Sequence, residues 1–235
     1  MFDGKMKAVT FSYDDGVTQD KRLIRIFDKY GLKCTFNINS KRLNEAKLLN
    51  VEDHTVAHVK PRPDEIAEIY KNHELAAHTL THPALKTRSR SEIIKEVDQD
   101  RENIAALCGY DVVGFAYPGG DRCWNEEVLE VVRRDTGVKY GRTTTSTHSF
   151  DIPSDLYRLN PTVHHTEWDK MEELAREFVE LKPDTPKLFY IWGHAYEFDV
   201  SDELWDRFDR FCEFISGRDD IFYGTNTQCL KELFD

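Results

Sequence analysis

The chain has 235 residues, of which 40% are hydrophobic and 12% aromatic, enough to build a sizeable core and to exclude a disordered chain. A formal net charge of -11, with lysine and arginine scattered, disfavours nucleic acid and anionic membrane as partners and suits a neutral or cationic substrate. No stretch approaches the ~20 apolar residues of a membrane span, Met1 to Lys7 holds no apolar leader core, and Cys34, Cys108, Cys123, Cys212 and Cys229 are widely spaced, which predicts reduced thiols and a cytoplasmic location, although an exported form with its leader removed would read much the same.

Residues 7–13 read as a first strand, an apolar run that ends in the paired carboxylates Asp14 and Asp15. A helix follows over 20–30, with Leu23, Ile24 and Phe27 on one face and Gly31 as its stop. Residues 34–38 form a second strand. The stretch 41–62 has no clear period and runs into Pro61-Arg62-Pro63, so it reads as a surface excursion over the sheet. A short helix over 64–72 precedes a third strand over 74–78. Ser91 opens a long helix to 107, with Ile93, Ile94, Val97, Ile104 and Leu107 as its buried stripe. A strand over 112–117 and a helix over 125–134 come next. Later strands are expected over 139–143, 157–162, 188–192 and 221–223, and later helices over 167–181 and 201–215. This alternation predicts an α/β fold, a largely parallel sheet or barrel with helices outside, as one domain over residues 1–235.

In that scheme Asp14-Asp15, His78, the turn Tyr117-Pro118-Gly119-Gly120 and His194 all fall at the carboxyl ends of strands, where chemistry collects in α/β barrels. Two adjacent carboxylates raise the free energy unless a cation or a shared proton relieves them. His78 and His82, four residues apart, can meet one ion, and Pro83 places them in a loop rather than a helix. One carboxylate and two imidazoles suit a catalytic zinc site, and cobalt, nickel or manganese would also fit. One carboxylate would hold the ion while its neighbour takes a proton. His194, as imidazolium, could protonate a leaving amine or alkoxide, or it is a core histidine hydrogen-bonded to a carboxylate such as Glu197, and Gly193 lets the backbone approach something closely. The Gly-rich turn after Phe115 could offer backbone N–H groups to an oxyanion. Taken singly, each feature has a plainer reading as a cap, a strand exit or a satisfied histidine. His164 and His165 are weaker rim candidates, because adjacent residues point to opposite faces of a strand. His54, His58, His73 and His148 read as surface histidines, and Trp124 and Trp168 as packing.

Together these residues resemble the polysaccharide deacetylases, the NodB-homology family also called carbohydrate esterase family four. Thr10-Phe11-Ser12-Tyr13-Asp14-Asp15-Gly16 is similar to the family's first motif, T-F-D-D-G, here with two residues between Phe and Asp. His78-Thr79-Leu80-Thr81-His82-Pro83 resembles its second, Phe115 to Gly120 its third, and the strand leading to His194 its fifth, in the family's order over about residues 7–225. The resemblance implies a distorted (β/α) barrel of seven or eight strands. It implies Asp14 as general base, Asp15, His78 and His82 as ligands of a divalent metal, His194 as general acid and the Gly119 N–H as oxyanion donor. Tyr117, Pro118, Trp192 and Arg142 are then candidate substrate contacts.

The implied activity is metal-dependent hydrolysis of an N-acetyl or O-acetyl group on a saccharide. Two alternatives keep the site: hydrolysis of another C–N amide, such as a cyclic imide or ureide, and a non-catalytic metal- or carbohydrate-binding relative. The sequence departs from the pattern twice. Ala116 stands where the third motif usually has an arginine that orients the base, and the aspartate of the fourth motif is not recognisable near Arg142-Thr143-Thr144-Thr145. Losing both halves of a buried ion pair together is coherent, since either charge alone would be costly. Arg142 or Arg158 is expected to supply the missing cation from another strand. The long stretch 144–187 predicts a reshaped groove. Oligomeric state is not legible.

Overall fold

In a computed structural model that describes residues 1–234, all nine residues of β1 (Lys7–Asp15) are buried. A strand covered on both faces belongs to a parallel sheet wrapped by helices, and the rest of the chain supplies both. In chain order follow α1 (Asp20–Lys29), β2 (Cys34–Ile38), β3 (Ala46–Val51), β4 (His54–Val59), α2 (Ile66–Ile69), β5 (Glu74–Ala77), α3 (Arg90–Cys108), β6 (Gly114–Ala116) and α4 (Glu126–Asp135). Then come β7 (Tyr140–Arg142), β8 (Val163–His164), α5 (Trp168–Glu180), β9 (Lys187–His194), α6 (Asp202–Ile215), β10 (Ile221–Tyr223) and α7 (Asn226–Leu230). No helix among the described residues is long and apolar enough to cross a membrane.

Eight strands join in one parallel sheet, ordered β7-β6-β5-β2-β1-β9-β8, with β10 beside the first half of β1. The sheet curls into a distorted barrel. Leu159 bridges Arg142 at one edge while Val163 and His164 pair with β9 at the other, so the segment 159–164 spans the seam. Register fixes the site: Asp14 lies level with Asn37 of β2 and His194 of β9. Phe11, Phe27, Phe198 and Phe208 pack between β1 and the outer helices. Inside the barrel a polar layer replaces apolar packing. Asn226 accepts from Thr10 Oγ1 at 2.9 Å and donates to Tyr190 Oη at 2.7 Å, so these buried groups are satisfied.

Among the described residues, three of the seven α-helices, α3, α4 and α7, begin at a side-chain cap. Ser89 and Glu92 form a reciprocal capping box for α3, two residues before the expected start, and Gly109 ends that helix in a left-handed conformation. Asn125 caps α4. Two expectations are corrected. The strand expected over 157–162 is a helical turn, Leu156–Arg158, followed by the Leu159 bridge, because Pro161 has no N–H to give a ladder. The excursion over 41–62 is an antiparallel hairpin of β3 and β4, turning at Glu52 with positive φ. On β4 the period of two is carried by Val56 and His58, and the polar half of that pattern conceals it.

Candidate active site

β1 delivers both carboxylates to one end of the barrel. Asp14 is buried, and its Oδ1 accepts from Asn37 Nδ2 at 2.9 Å and from Arg142 Nη2 in a close ion pair. Burial alone would push the Asp14 carboxyl up, but the Arg142 guanidinium, with His78 and His194 nearby, holds it below its ordinary value. Its other oxygen, Oδ2, lies 4.0 Å from His78 Nε2. One oxygen is therefore anchored and the other faces the histidines.

Asp15, one residue on, sits at φ 77°, and Thr79 and His82 also adopt positive φ, at 67° and 61°. Three non-glycine residues in this sparsely populated region, all in the two segments that carry the candidate ligands, mark backbone held by its surroundings. Lys60 Nζ, at the end of the hairpin, donates to the Asp15 carbonyl and to Asn39 Oδ1, while Asn39 Nδ2 donates to the carbonyls of His78 and Thr79. These bonds tie the hairpin, β1 and the His78 loop together.

Asp15, His78 and His82 offer ligand atoms that all lie within 4.8 Å of one another. The donor set fits a divalent cation. His78 Nδ1 is 2.9 Å from the Ala116 carbonyl, which fixes the ring, while its buried Nε2 completes no hydrogen bond among the described residues and points at the carboxylates. His82 Nε2 is 4.0 Å from Asp15 Oδ1. Burial lowers the His78 imidazole to about 4 and lowers His82 too, so both rings carry free lone pairs at neutral pH. Burial would raise the Asp15 carboxyl, yet its hydrogen bond with His58 and the Lys60 charge hold it well below the usual range.

These groups open onto a cleft of about 310 Å³, which Tyr117, Gly119, Trp192 and His194 also line. The Tyr117 N–H is bound to the Arg142 carbonyl at 2.9 Å, and Pro118 has none, so Gly119 is the first amide beyond the strand. Gly119 has φ 72°, and a Cβ there would lie 2.6 Å from Cys123 Sγ. Pro118 is buried. Arg142, named both as a substitute cation and as a substrate contact, is fully buried, with Cζ 4.6 Å from the Trp192 ring and its charge spent on Asp14. Arg158 pairs instead with Glu126.

His194 Nδ1 lies 3.3 Å from Glu197 Oε2. Burial would lower the imidazole, but the Glu197 carboxylate, followed by Asp14 and Asp15, raises it to about 9, so it is an imidazolium at neutral pH. The close approach at Gly193 is to the His165 ring, whose Nδ1 would lie 2.1 Å from a Cβ there. Several sequence readings are corrected. His58 is buried, 3.1 Å from Asp15 Oδ2, and His73 is buried between Cys34 and Asp28. Lys60 and Asn39 escaped notice altogether. Only the alternation of Val56, His58 and Lys60 could have pointed to the hairpin's part in the site.

The profile of the polysaccharide deacetylase family matches residues 3–141, more than half of the chain. The chain belongs to the polysaccharide deacetylase family. Three solved structures share its fold. A Mycobacterium smegmatis protein assigned as a polysaccharide deacetylase is 16% identical, with a TM-score of 0.70 over 97% of this chain and 90% of that one. A family 4 acetyl xylan esterase from Clostridium thermocellum, solved with a cobalt ion, is 16% identical at TM-score 0.57 over 96% and 91%. A family 4 pseudoenzyme from Bacillus anthracis is 18% identical at TM-score 0.56 over 96% and 66%. Since the fold houses both catalytic and inactive members, activity in this deacetylase-family chain has to be argued from its side chains.

Proposed function

We propose that this deacetylase-family protein is a metal-dependent hydrolase that removes an acetyl group from a saccharide. The observation that carries the reading is the division of labour between adjacent carboxylates. Asp14 is anchored through Oδ1 by Arg142 and Asn37, while Asp15 shares a 4.8 Å cluster with His78 and His82. A divalent metal held by Asp15, His78 and His82, zinc in first place, would supply Lewis acidity for water and for the acyl carbonyl. Asp14 Oδ2 accepts the proton of the attacking water, its carboxylate kept ionised by Arg142. The Gly119 N–H donates to the developing oxyanion. His194, charged through Glu197, gives its proton to the leaving nitrogen or oxygen. Arg142 thus takes the orienting part expected of the residue at Ala116.

The cytoplasm is the proposed place of action, in keeping with five free thiols. The test is acetate release from chitooligosaccharides and acetylated xylooligosaccharides, beside a small cyclic imide. We expect Asp14→Asn to keep metal while kcat falls by about 10²–10⁴, and His78→Ala to lose both turnover and the metal of this site. Undiminished turnover in Asp14→Asn would remove the mechanism.

A further inference from the structure

On the far side of His194 lies a second cluster. Glu197 Oε2 is 3.4 Å from His164 Nε2, 3.3 Å from His194 Nδ1 and 3.2 Å from His165 Nε2, and it accepts the backbone N–H of His194 at 3.0 Å. One carboxylate oxygen cannot satisfy four such donors. Accordingly, His165 Nε2 and His194 Nδ1 are buried and complete no hydrogen bond among the described residues. Separations of this size match neighbouring ligands on tetrahedral zinc, about 3.3 Å apart for bonds of about 2.0–2.1 Å.

The atoms offered by His164, His194 and Glu197 all lie within 4.8 Å of one another. The outer nitrogens are engaged and hold the rings in place: His164 Nδ1 accepts the Thr166 backbone N–H at 3.3 Å and lies 2.6 Å from Thr166 Oγ1, and His165 Nδ1 is 3.0 Å from Tyr13 Oη.

We propose that His164 Nε2, His194 Nδ1 and the Glu197 carboxylate form a second, inhibitory site for a divalent cation of the zinc class, with His165 orienting Glu197. Binding there displaces two protons to solvent, one from His194 Nδ1 and one from His164 Nε2, whose ring accepts the Thr166 N–H at Nδ1, and occupies the carboxylate that keeps the His194 ring charged. What remains on the cleft side is a much weaker proton donor. The site stands on its own residues, whereas the loss of turnover rests on His194 being the acid.

The experiment is elemental analysis of protein dialysed against excess zinc chloride and desalted, with turnover followed during zinc titration. The wild type should hold two zinc ions per chain, and His164→Ala one. His164→Gln, which fills the same space, should also hold one, guarding against a packing defect. His78→Ala should hold one as well, retaining the second site. The second equivalent should lower wild-type kcat about a hundredfold and leave the His164 variants within about twofold of their own starting rate. Equal zinc content in the wild type and both His164 variants overturns the site, and undiminished turnover at two equivalents overturns its inhibitory role. If only His78→Ala keeps the wild-type count, the fault lies with the Asp15 site instead.

Discussion

The two walls of the cleft are built in opposite ways. On the wall of β1 and the loop after β5, reactive side chains arrive as near neighbours in the chain, Asp14 beside Asp15 and His78 four residues from His82. On the wall of β7, β8 and β9, contacts reach across the chain: Arg142 pairs with Asp14 across 128 residues and His165 meets Tyr13 across 152, while His194 takes its charge from Glu197 in the turn that follows β9. The first wall sets which atoms can hold a cation. The second sets which carboxylate stays ionised and which histidine stays protonated. The comparison implies that loss of Asp15, His78 or His82 from the first wall removes the metal between them, whereas damage to the second leaves that metal in place and changes charge states.

Arg142→Met should break the comparison most severely. It strands the buried Asp14 carboxylate without its counter-charge, a loss of about 3–5 kcal/mol for one partner of a buried pair. Denaturant unfolding should record that cost, and turnover should collapse while the Asp15 cluster still binds zinc. The double variant Arg142→Met, Asp14→Asn should regain most of the stability and none of the activity. A double variant as unstable as the single one would mean that Arg142 acts through packing on Trp192 rather than through Asp14.

Glu197→Gln tests the same wall through pH. Against burial, the Glu197 carboxylate leads Asp14 and Asp15 in raising His194 from 6.5 to about 9, so it favours the charged ring. Removing it should draw the alkaline limb of kcat down toward 6.5 and cost about a hundredfold at pH 8. Stability follows the same sign: the folded ring holds its proton more tightly than the unfolded one. The pairing therefore contributes fully below about 6.5 and is lost as pH rises through about 9. An unshifted alkaline limb in Glu197→Gln would detach Glu197 from His194.

This contrast also explains what could be read from the sequence. Alternating strand and helix patterns gave the parallel barrel, and local spacing drew out Asp14, Asp15, His78 and His82, because in each case the information lies within a few residues. Arg142 could be named only as one of two replacement cations, since nothing local tells it from Arg158. His58 and Lys60 were passed over because their strand alternates through polar side chains, and hydrophobic periodicity cannot register a polar residue that turns inward. The strand expected over 157–162 misled for a local reason, the missing donor at Pro161.

The hairpin gives the subtlest test, because it belongs to neither wall. His58 Nε2 lies 3.1 Å from Asp15 Oδ2 and so restricts which carboxylate oxygen is free to meet a cation. Its ring also packs edge-on against Tyr196 on the cleft rim, with centroids 5.2 Å apart. Orienting contacts of this kind tune affinity without supplying a ligand. His58→Gln should therefore weaken zinc binding at the Asp15 cluster by about tenfold, read by competition with a chromogenic chelator. Once zinc is saturating, kcat should return to within about twofold of wild type, since Asp14, Arg142 and His194 are untouched. A kcat that stays low at saturating zinc would move His58 from orienting Asp15 to acting on the substrate, and would make the hairpin a third wall of the cleft.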